Sequence, residues 1–219
     1  MRKLLIVRPE PGASHSAARA LALGLDPLVR PLFAIEPVAW TIPDAARFDG
    51  LLMTSANAVR FAGPGLATFA GLPVAAVGEA TALAARSAGL TVGEVGNSDA
   101  GTLLRSMPGR RRLLHLAGEH RAECHSGDAV EAVTVYRAVE IADPRLPDAA
   151  GMVVAVHSPR AGARLAELVA ERSATRLAAI SEAAANACGS GWEQVAWPSE
   201  PSDLALLALA ARLCQSPVR

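Results

Sequence analysis

The chain reads Ser55-Ala-Asn-Ala and then Val74-Ala-Ala-Val-Gly-Glu-Ala, and 103 positions later it reads Ser158-Pro-Arg-Ala and then Leu177-Ala-Ala-Ile-Ser-Glu-Ala, without a gap. From 55 to 104 there are 13 identities in 50 positions, but seven of them are alanines. The shared order of elements therefore carries more weight than the count. That order is strand, Ser, helix, strand, Glu, helix, strand, helix in one register, which predicts an internal repeat.

Short apolar runs bounded by turn residues alternate with Ala-rich helical stretches along the whole chain. The runs lie at 4–7, 51–53, 74–77, 113–116, 152–156 and 177–180. They are continuous rather than alternating, as expected for parallel strands covered by helices on both faces. We therefore predict an α/β fold made of flavodoxin-like domains with parallel sheets, each repeat being half of such a fold. Helix starts are predicted at Ser14, before 17–23, and at Ser202, before 204–213.

A third match places the first strand of the second copy at the beginning of the chain. Leu4-Leu-Ile-Val aligns with Leu113-Leu-His-Leu, but at a different offset from the repeat. The simplest arrangement is one domain inserted into the other. We predict an inserted α/β domain at 37–139 and a discontinuous outer domain at 1–36 plus 140–219, with the proline-bearing segments 35–43 and 141–147 as the two-segment linker.

Composition excludes several functional classes. Of 219 residues, 51% are hydrophobic and 19% charged, and 21 basic side chains balance 21 acidic ones. Disorder and an electrostatic footprint for nucleic acid are thus disfavoured. The longest apolar runs have eight residues, far fewer than the roughly 20 of a membrane-spanning helix. Because the first apolar run is also too short for a secretory signal, we predict a cytoplasmic protein.

Polar residues follow the predicted strands at their carboxyl ends, where open parallel sheets bind ligands. They are Thr54-Ser55-Ala56-Asn57, Gly78-Glu79-Ala80-Thr81, His157-Ser158-Pro159-Arg160 and Ser181-Glu182. Helix N-termini at such ends attract anions. The alternative, that each serine only caps its helix, stays open for any single one.

Five motifs occur in an order and spacing that resemble the uroporphyrinogen-III synthases. They are Leu4-Leu-Ile-Val-Arg-Pro-Glu-Pro, Gly50-Leu-Leu-Met-Thr-Ser-Ala-Asn-Ala-Val, Val77-Gly-Glu-Ala-Thr-Ala, Leu116-Ala-Gly and Val133-Thr-Val-Tyr-Arg. The resemblance covers nearly the whole chain. It implies the inserted two-domain architecture and cyclisation of hydroxymethylbilane to uroporphyrinogen III, with inversion of the terminal pyrrole ring and loss of water, in the cleft between the domains. It also implies a monomer that needs neither metal nor organic cofactor.

The same resemblance assigns roles to individual residues. Tyr136, the single tyrosine, matches the family's Val-Tyr motif and would assist departure of the substrate hydroxyl as an acid. The alternative is a tyrosine on an edge strand with its hydroxyl in solvent. The expected substrate-binding set is Arg8, Thr54, Ser55, Asn57, Gly78, Glu79, Thr81, Gly118, Arg121, Ser158, Arg160 and Ser181. Its arginines, and Arg137 as a further candidate, are chosen because they lie at or next to predicted strand ends and could pair with substrate carboxylates. The alternative for each arginine is a solvated surface charge.

One departure from the family pattern and one polar cluster leave alternatives open. Where many members read Gly-Pro-Thr-Thr-Ala, this chain reads Ser181-Glu-Ala-Ala-Ala, so a non-catalytic tetrapyrrole-sensing or interaction module of the same fold is the second hypothesis. A metal site is suggested by the cluster His115, His120, Glu123, Cys124 and His125, but these residues complete no structural zinc pattern. No nucleotide-binding glycine motif follows any strand.

Overall fold

The chain folds into two compact units. The computed structural model describes residues 1–97, 99–107, 109, 111–121 and 129–215. The outer unit consists of Met1–Ala34 and Val139–Arg219, and the inserted unit of Ile35–Ala138. The boundaries expected from the sequence, 36/37 and 139/140, differ from these by two residues and one residue.

The elements alternate between strands and helices along the chain. In order they are β1 (Leu4–Ile6), α1 (Gly12–Ala22), β2 (Pro27–Val29), β3 (Phe33–Pro37), β4 (Gly50–Met53), α2 (Ala56–Phe61), β5 (Val74–Val77), α3 (Glu79–Ser87), β6 (Val92–Gly96), α4 (Ala100–Ser106), β7 (Arg112–Gly118), β8 (Ala129–Glu140), β9 (Val153–Val156), α5 (Pro159–Leu168), β10 (Arg176–Ala179), α6 (Glu182–Ala187), β11 (Gln194–Ala196) and α7 (Asp203–Gln215). Short 3₁₀ helices span Ala45–Arg47 and Gly63–Phe69. The chain passes between the units inside β3 and β8, so the segment 141–147 belongs to the outer unit.

The outer unit is built on a five-stranded parallel sheet in the order β11-β10-β9-β1-β2. Alternate residues of its strands, such as Leu4 and Ile6, form one core cluster with α7 and α1. Their neighbours point to the other face, because side chains alternate along a strand. Helices α5 and α6 pack against β9 and β10 respectively. The doubly wound, parallel α/β architecture predicted from the sequence is confirmed.

The inserted unit has a six-stranded sheet in the order β3-β8-β7-β4-β5-β6. The pairs from β8 to β6 are all parallel. Leu51 and Met53 face the core formed with α2 and α3, whereas Leu52 faces Leu103 and Leu104 of α4. Both faces of β4 are therefore buried, which explains its continuous apolar run.

The internal repeat is reproduced in the pairing of the central strands of the two sheets. Leu51 pairs with Leu114 in the inserted sheet, and Val154, 103 positions after Leu51, pairs with Leu5 in the outer sheet. The helices of the repeat also begin 103 positions apart, α2 and α5, α3 and α6, and α4 and α7. Because β1 takes the place beside β9 that β7 takes beside β4, the N-terminus completes the outer copy.

The strands that the sequence predicted as apolar runs are the continuously buried ones. All six apolar runs are strands, and Ser202 accepts a hydrogen bond from Ala205 N at the start of α7. The start predicted at Ser14 is wrong. Helix α1 begins at Gly12, and the Glu10 carboxylate accepts hydrogen bonds from Ser14 N and Oγ. The third strand that the repeat order places in each copy corresponds to β6 and β11. The strands β2, β3 and β8 were not predicted, because none of them carries a continuous run of buried residues.

None of the helices in the described ranges has the length and apolar character needed to cross a bilayer.

Helices α5 and α6 approach closely at Gly162. A Cβ atom at this position would lie 2.8 Å from the carbonyl oxygen of Ala184 and 2.9 Å from Sγ of Cys188. Contacts this short with backbone cannot be relieved by rotating a side chain. The absence of a side chain at Gly162 therefore sets the distance between the two helices.

We predict that Gly162→Ala lowers the free energy of unfolding by about 1–2 kcal/mol, because overpacking outweighs the gain in helix propensity. Urea unfolding followed by circular dichroism measures the change. Gly71→Ala is the control, since a Cβ atom there would meet nothing within 4 Å. An unchanged or raised stability for Gly162→Ala would show that the helices can separate without cost.

Candidate functional site

The predicted site residues lie along the carboxyl edge of each sheet, the edge at which the parallel strands end. In the inserted unit, the residues at or after the ends of β4, β5 and β7 and the one within β8 belong to four neighbouring strands. They are Thr54, Ser55, Asn57, Gly78, Glu79, Thr81, Gly118, Arg121 and Tyr136. In the outer unit, the residues follow the neighbouring strands β1, β9 and β10. They are Arg8, Ser158, Arg160 and Ser181.

Three of the predicted serines cap helices. The Oγ atoms of Ser55, Ser158 and Ser181 accept hydrogen bonds of 3.2–3.3 Å from backbone N–H groups in the first turns of α2, α5 and α6. Each cap uses a lone pair of the oxygen and leaves the O–H hydrogen available to a second acceptor. A serine at these positions can therefore stabilise its helix and donate to a ligand at the same time.

The side chain of Thr54 is within hydrogen-bond distance of a buried histidine. Its Oγ1 lies 3.1 Å from Nε2 of His115, which is buried in the middle of β7. Burial, helped by the charge of Arg121, lowers the pKa of His115 to about 4. The imidazole is therefore neutral near neutral pH, and it holds the Thr54 side chain by a hydrogen bond. The sequence offered no signal for this pair, which connects residues 61 positions apart.

Tyr136 lies half-buried against the core of the inserted unit. Its ring is 6.5 Å from the ring of Phe61 on α2, and its backbone carbonyl accepts a hydrogen bond from Glu119 N. Tyr136 is the strand partner of Gly118, next to an irregularity in the register of β7 and β8. The ring is thus packed rather than extended into solvent.

The residues after β5 divide into a turn and a helix. Gly78 has φ of 83°, a left-handed conformation that favours glycine, and it precedes α3. Thr81 is buried on the first turns of α3. The Glu79 carboxylate is paired with Arg86 at 2.8 Å on the exposed surface of the same helix. That carboxylate would repel an anionic ligand, so Glu79 can bind one only through its backbone N–H.

The predicted arginines and Asn57 all have partners within their own units. Arg121 donates to Gly118 O and Thr134 Oγ1, and Arg137 pairs with Glu36. The Arg160 guanidinium lies 4.7 Å from the centre of the Phe33 ring. Arg60 donates to Oδ1 of Asn57. Arg8 is seated over Gly12, where a Cβ atom would lie 2.6 Å from Nε of Arg8.

A partly buried polar cluster that sequence reasoning missed gathers around Asp203 at the carboxyl edge of the outer sheet. Oδ1 of Asp203 accepts hydrogen bonds from Ser16 Oγ at 2.6 Å and from Arg8 Nη1 at 3.3 Å, and it lies 2.8 Å from His157 Nε2. Oδ2 of Asp203 accepts from Arg19 at 2.7 Å. We call these five residues the Asp203 cluster. It ties the start of α7 to α1 and to the ends of β1 and β9.

The charges within the Asp203 cluster are determined by burial and hydrogen bonding. Burial alone would raise the pKa of Asp203, but the hydrogen bonds from His157, Ser16 and Arg19 hold it well below its ordinary value. Burial lowers the pKa of His157. A neutral imidazole that contacts a carboxylate carries its proton on the contacting nitrogen, here Nε2.

Metal ligands do not come together in the described ranges, where no three His, Cys, Asp or Glu side chains could share an ion. Of the cluster considered from the sequence, Glu123, Cys124 and His125 lie outside the described residues. Cys188 and Cys214 are buried thiols. Burial raises the pKa of Cys188 to about 11, so this thiol is unreactive near neutral pH.

A cavity of about 340 Å³ opens at the opposite edge of the inserted sheet. Asp49, Pro73, Glu94 and Arg111 line it beside the amino ends of β4 and β5. It is therefore separated by the length of the sheet from Tyr136 and the hydroxyl residues.

We predict that acid weakens the fold through its buried histidines. Between pH 6.5 and about pH 4 the folded protein binds fewer protons at His115 than the unfolded chain, so the free energy of unfolding falls as pH falls. For His115 the loss is at most about 3 kcal/mol. His115→Gln should flatten this part of the curve, measured by urea unfolding at a series of pH values, while His157 still contributes. His15→Gln, at an exposed position on α1, should leave the curve unchanged, and an equal effect of both variants would contradict the assignment.

Comparison with solved structures places this architecture among known ones. A uroporphyrinogen-III synthetase from Helicobacter pylori 26695 superposes with a TM-score of 0.67 at 18% identity, covering 97% of this chain and 100% of that one. A mutant uroporphyrinogen III synthase from the extremely thermophilic bacterium Thermus thermophilus gives a TM-score of 0.56 at 21% identity, covering 98% and 100%. At these identities the likeness concerns the fold.

Comparison of sequences identifies the family as well as the fold. A uroporphyrinogen-III synthase from Chlorobaculum parvum is 37% identical over 62 residues, which is 28% of this chain and 25% of that protein, so the alignment spans about a quarter of the relative. Residues 14–208 match the family described as "Uroporphyrinogen-III synthase HemD". This match runs through both copies of the repeat and through every predicted site residue except Arg8. The chain belongs to the uroporphyrinogen-III synthase family.

Proposed function

We propose that the protein is a uroporphyrinogen-III synthase, a lyase of tetrapyrrole and heme biosynthesis. It would cyclise hydroxymethylbilane to uroporphyrinogen III, with inversion of the terminal pyrrole ring and loss of water. The observation that carries the proposal is the position of the Tyr136 phenol in a row of neighbouring strand ends that also bears Thr54, Ser55 and Thr81. Membership of the family supports the same activity.

The reaction needs a proton donor at one end of the substrate. Loss of the terminal hydroxyl of hydroxymethylbilane gives an electrophilic azafulvene, and a neutral phenol that donates to the leaving oxygen lowers the barrier to this step. Tyr136 is proposed as that donor. Its packed ring supports the role, because a donor held in one orientation loses less entropy on reaching the transition state.

The substrate also needs many neutral hydrogen-bond donors. Each pyrrole of hydroxymethylbilane carries an acetate and a propionate, so the bound molecule is strongly anionic. We propose that hydroxyl and backbone N–H groups at the carboxyl edges bind these carboxylates, with Arg8, Arg121 and Arg160 adding charge. The proposed neutral contacts are Thr54, Ser55, Asn57, Gly78, Glu79 N–H, Thr81, Gly118, Ser158 and Ser181.

Localisation, oligomeric state and partners of the enzyme are proposed as well. We propose that it works as a cytoplasmic monomer with hydroxymethylbilane as its small-molecule partner, without metal, nucleotide or nucleic acid. The balance of 21 basic and 21 acidic residues supports the last point, since nucleic-acid binding draws on a surplus of basic charge.

A second function is favoured by one specific observation. At Ser181-Glu-Ala-Ala-Ala the chain lacks the hydroxyl pair of many relatives, and the Ala184 N–H is already bound by Ser181 Oγ. A tetrapyrrole-sensing or interaction module would keep the fold and the binding groups without catalysis. Binding alone does not distinguish the two functions, but the isomer of the product does.

We predict that the purified protein converts enzymatically generated hydroxymethylbilane mainly into the inverted isomer. Free hydroxymethylbilane closes without inversion, so a catalyst must both accelerate closure and redirect it. The measurement is the ratio of inverted to uninverted uroporphyrinogen after oxidation and chromatography, with a protein-free reaction as the control. Production of only the uninverted isomer at the rate of the control would exclude a synthase and leave the sensing module.

We predict that Tyr136→Phe lowers kcat by about ten- to a hundredfold, which corresponds to the loss of one well-placed donor. KM should change little, because phenylalanine keeps the packing against Phe61. Steady-state kinetics on the inverted product test the change, and urea unfolding checks that stability is kept. Full kcat in the variant would make Tyr136 structural and assign acid assistance to water or to the substrate itself.

A further inference from the structure

Gly118 lies directly against the aromatic ring of Tyr136. A Cβ atom on Gly118 would lie 2.7 Å from Cζ, 2.8 Å from Cε2 and 2.9 Å from the hydroxyl oxygen of Tyr136. These distances are shorter than any van der Waals contact between such atoms. The far end of the phenol therefore occupies the volume that a side chain at position 118 would fill.

The backbone around this contact is held in place on both strands. Glu119 N donates to Tyr136 O at 3.0 Å, and Arg121 donates to both Gly118 O and Thr134 Oγ1. The register of β7 and β8 shifts between Ala117 and Gly118, which brings Gly118 opposite Tyr136. Thus the glycine and the tyrosine cannot easily separate by sliding of the strands.

The atoms that a new Cβ would displace belong to the end of a side chain. A methyl group at position 118 can therefore be accommodated by rotation of the Tyr136 side chain about its Cα–Cβ bond, without separation of the strands. This rotation moves the phenolic oxygen, the atom farthest from the backbone. A substitution at Gly118 should hence affect the position of the hydroxyl more than the stability of the unit.

We propose that Gly118 is a positioning residue, whose missing side chain determines where the Tyr136 hydroxyl points. This role belongs to the missing side chain of Gly118 and is separate from the contact of its backbone with substrate proposed above. The inference rests on the proposed function where it concerns catalysis, but the position of the ring can be measured without substrate. The two parts of the proposal can therefore fail separately.

The first test uses the single tyrosine of the chain as a probe. Protein labelled with 3-fluorotyrosine carries its fluorine only at Tyr136, and its ¹⁹F spectrum reports the surroundings of that ring. Gly118→Ala should shift or broaden the resonance. Gly50→Ala is the matched control, because a Cβ atom there would also be crowded, 2.9 Å from Pro73 O, but at the opposite edge of the sheet. It should leave the resonance in place, and an unchanged resonance in Gly118→Ala would overturn the proposal.

The second test uses kinetics. A displacement of about 1 Å in a catalytic group can cost on the order of a hundredfold in rate, so Gly118→Ala is expected to lower kcat about tenfold or more with a smaller change in KM. In the Tyr136→Phe background the same substitution should cost less than about twofold, because no hydroxyl remains to be displaced. Equal costs in both backgrounds would show that Gly118 does not act through the Tyr136 hydroxyl and would overturn the positioning role.

A third variant covers the case in which Gly118→Ala fails to fold, which circular dichroism would reveal. Phe61→Leu removes the aromatic neighbour of Tyr136 and leaves Gly118 intact. It should also move the fluorine resonance and lower kcat. If the unsubstituted protein does not direct closure to the inverted isomer but the resonance still moves in the variants, the proposed function is refuted. The role of Gly118 in positioning the Tyr136 ring would then still stand.

Discussion

The pairing of β1 with β9 is the contact on which the outer unit depends. Leu4 lies opposite Val153, and Ile6 lies opposite Ala155, so the first strand of the chain completes a sheet whose other strands follow the inserted unit, apart from the edge strand β2. Leu4 and Ile6 are fully buried in the core with α1 and α7. Without β1, the edge of β9 and much of this core would be open to water. Insertion of one copy into the other therefore makes folding of the outer copy a long-range event.

The two copies of the repeat have the same backbone plan but different polar interiors. His157 and Asp203 of the outer unit align with Thr54 and Ala100 of the inserted unit. In the outer unit His157 and Asp203 contact each other within the Asp203 cluster, so their side chains already have hydrogen-bond partners. In the inserted unit the aligned threonine instead rests on a neutral histidine, His115. The outer edge is thus braced by ionic contacts, whereas the inserted edge keeps neutral hydroxyls.

The sequence could predict those parts of the fold that depend on local patterns. Each continuous apolar run corresponds to a strand buried on both faces, and the offset of 103 carries over into the register of the sheets. It could not predict the Asp203 cluster, because Asp203 meets Ser16 and His157 across 187 and 46 positions and nothing local marks any of them as partners. Ser14 shows the converse, a local pattern that misled. It was predicted to cap α1, but it lies inside the helix, where its N–H and its hydroxyl both donate to the Glu10 carboxylate.

The neutral hydroxyl groups of the inserted edge differ from its arginines in how they could hold an anionic substrate. An arginine already engaged with a carboxylate or a carbonyl, as Arg8 and Arg121 are, must loosen those contacts before it can pair with a second anion. A serine cap needs no such exchange, because its free O–H can donate while the cap hydrogen bond persists. A threonine held by a neutral imidazole is oriented without adding charge. Selectivity between two modes of ring closure depends on geometry rather than on total attraction, and short hydroxyl side chains with few rotatable bonds hold geometry better than flexible cations do.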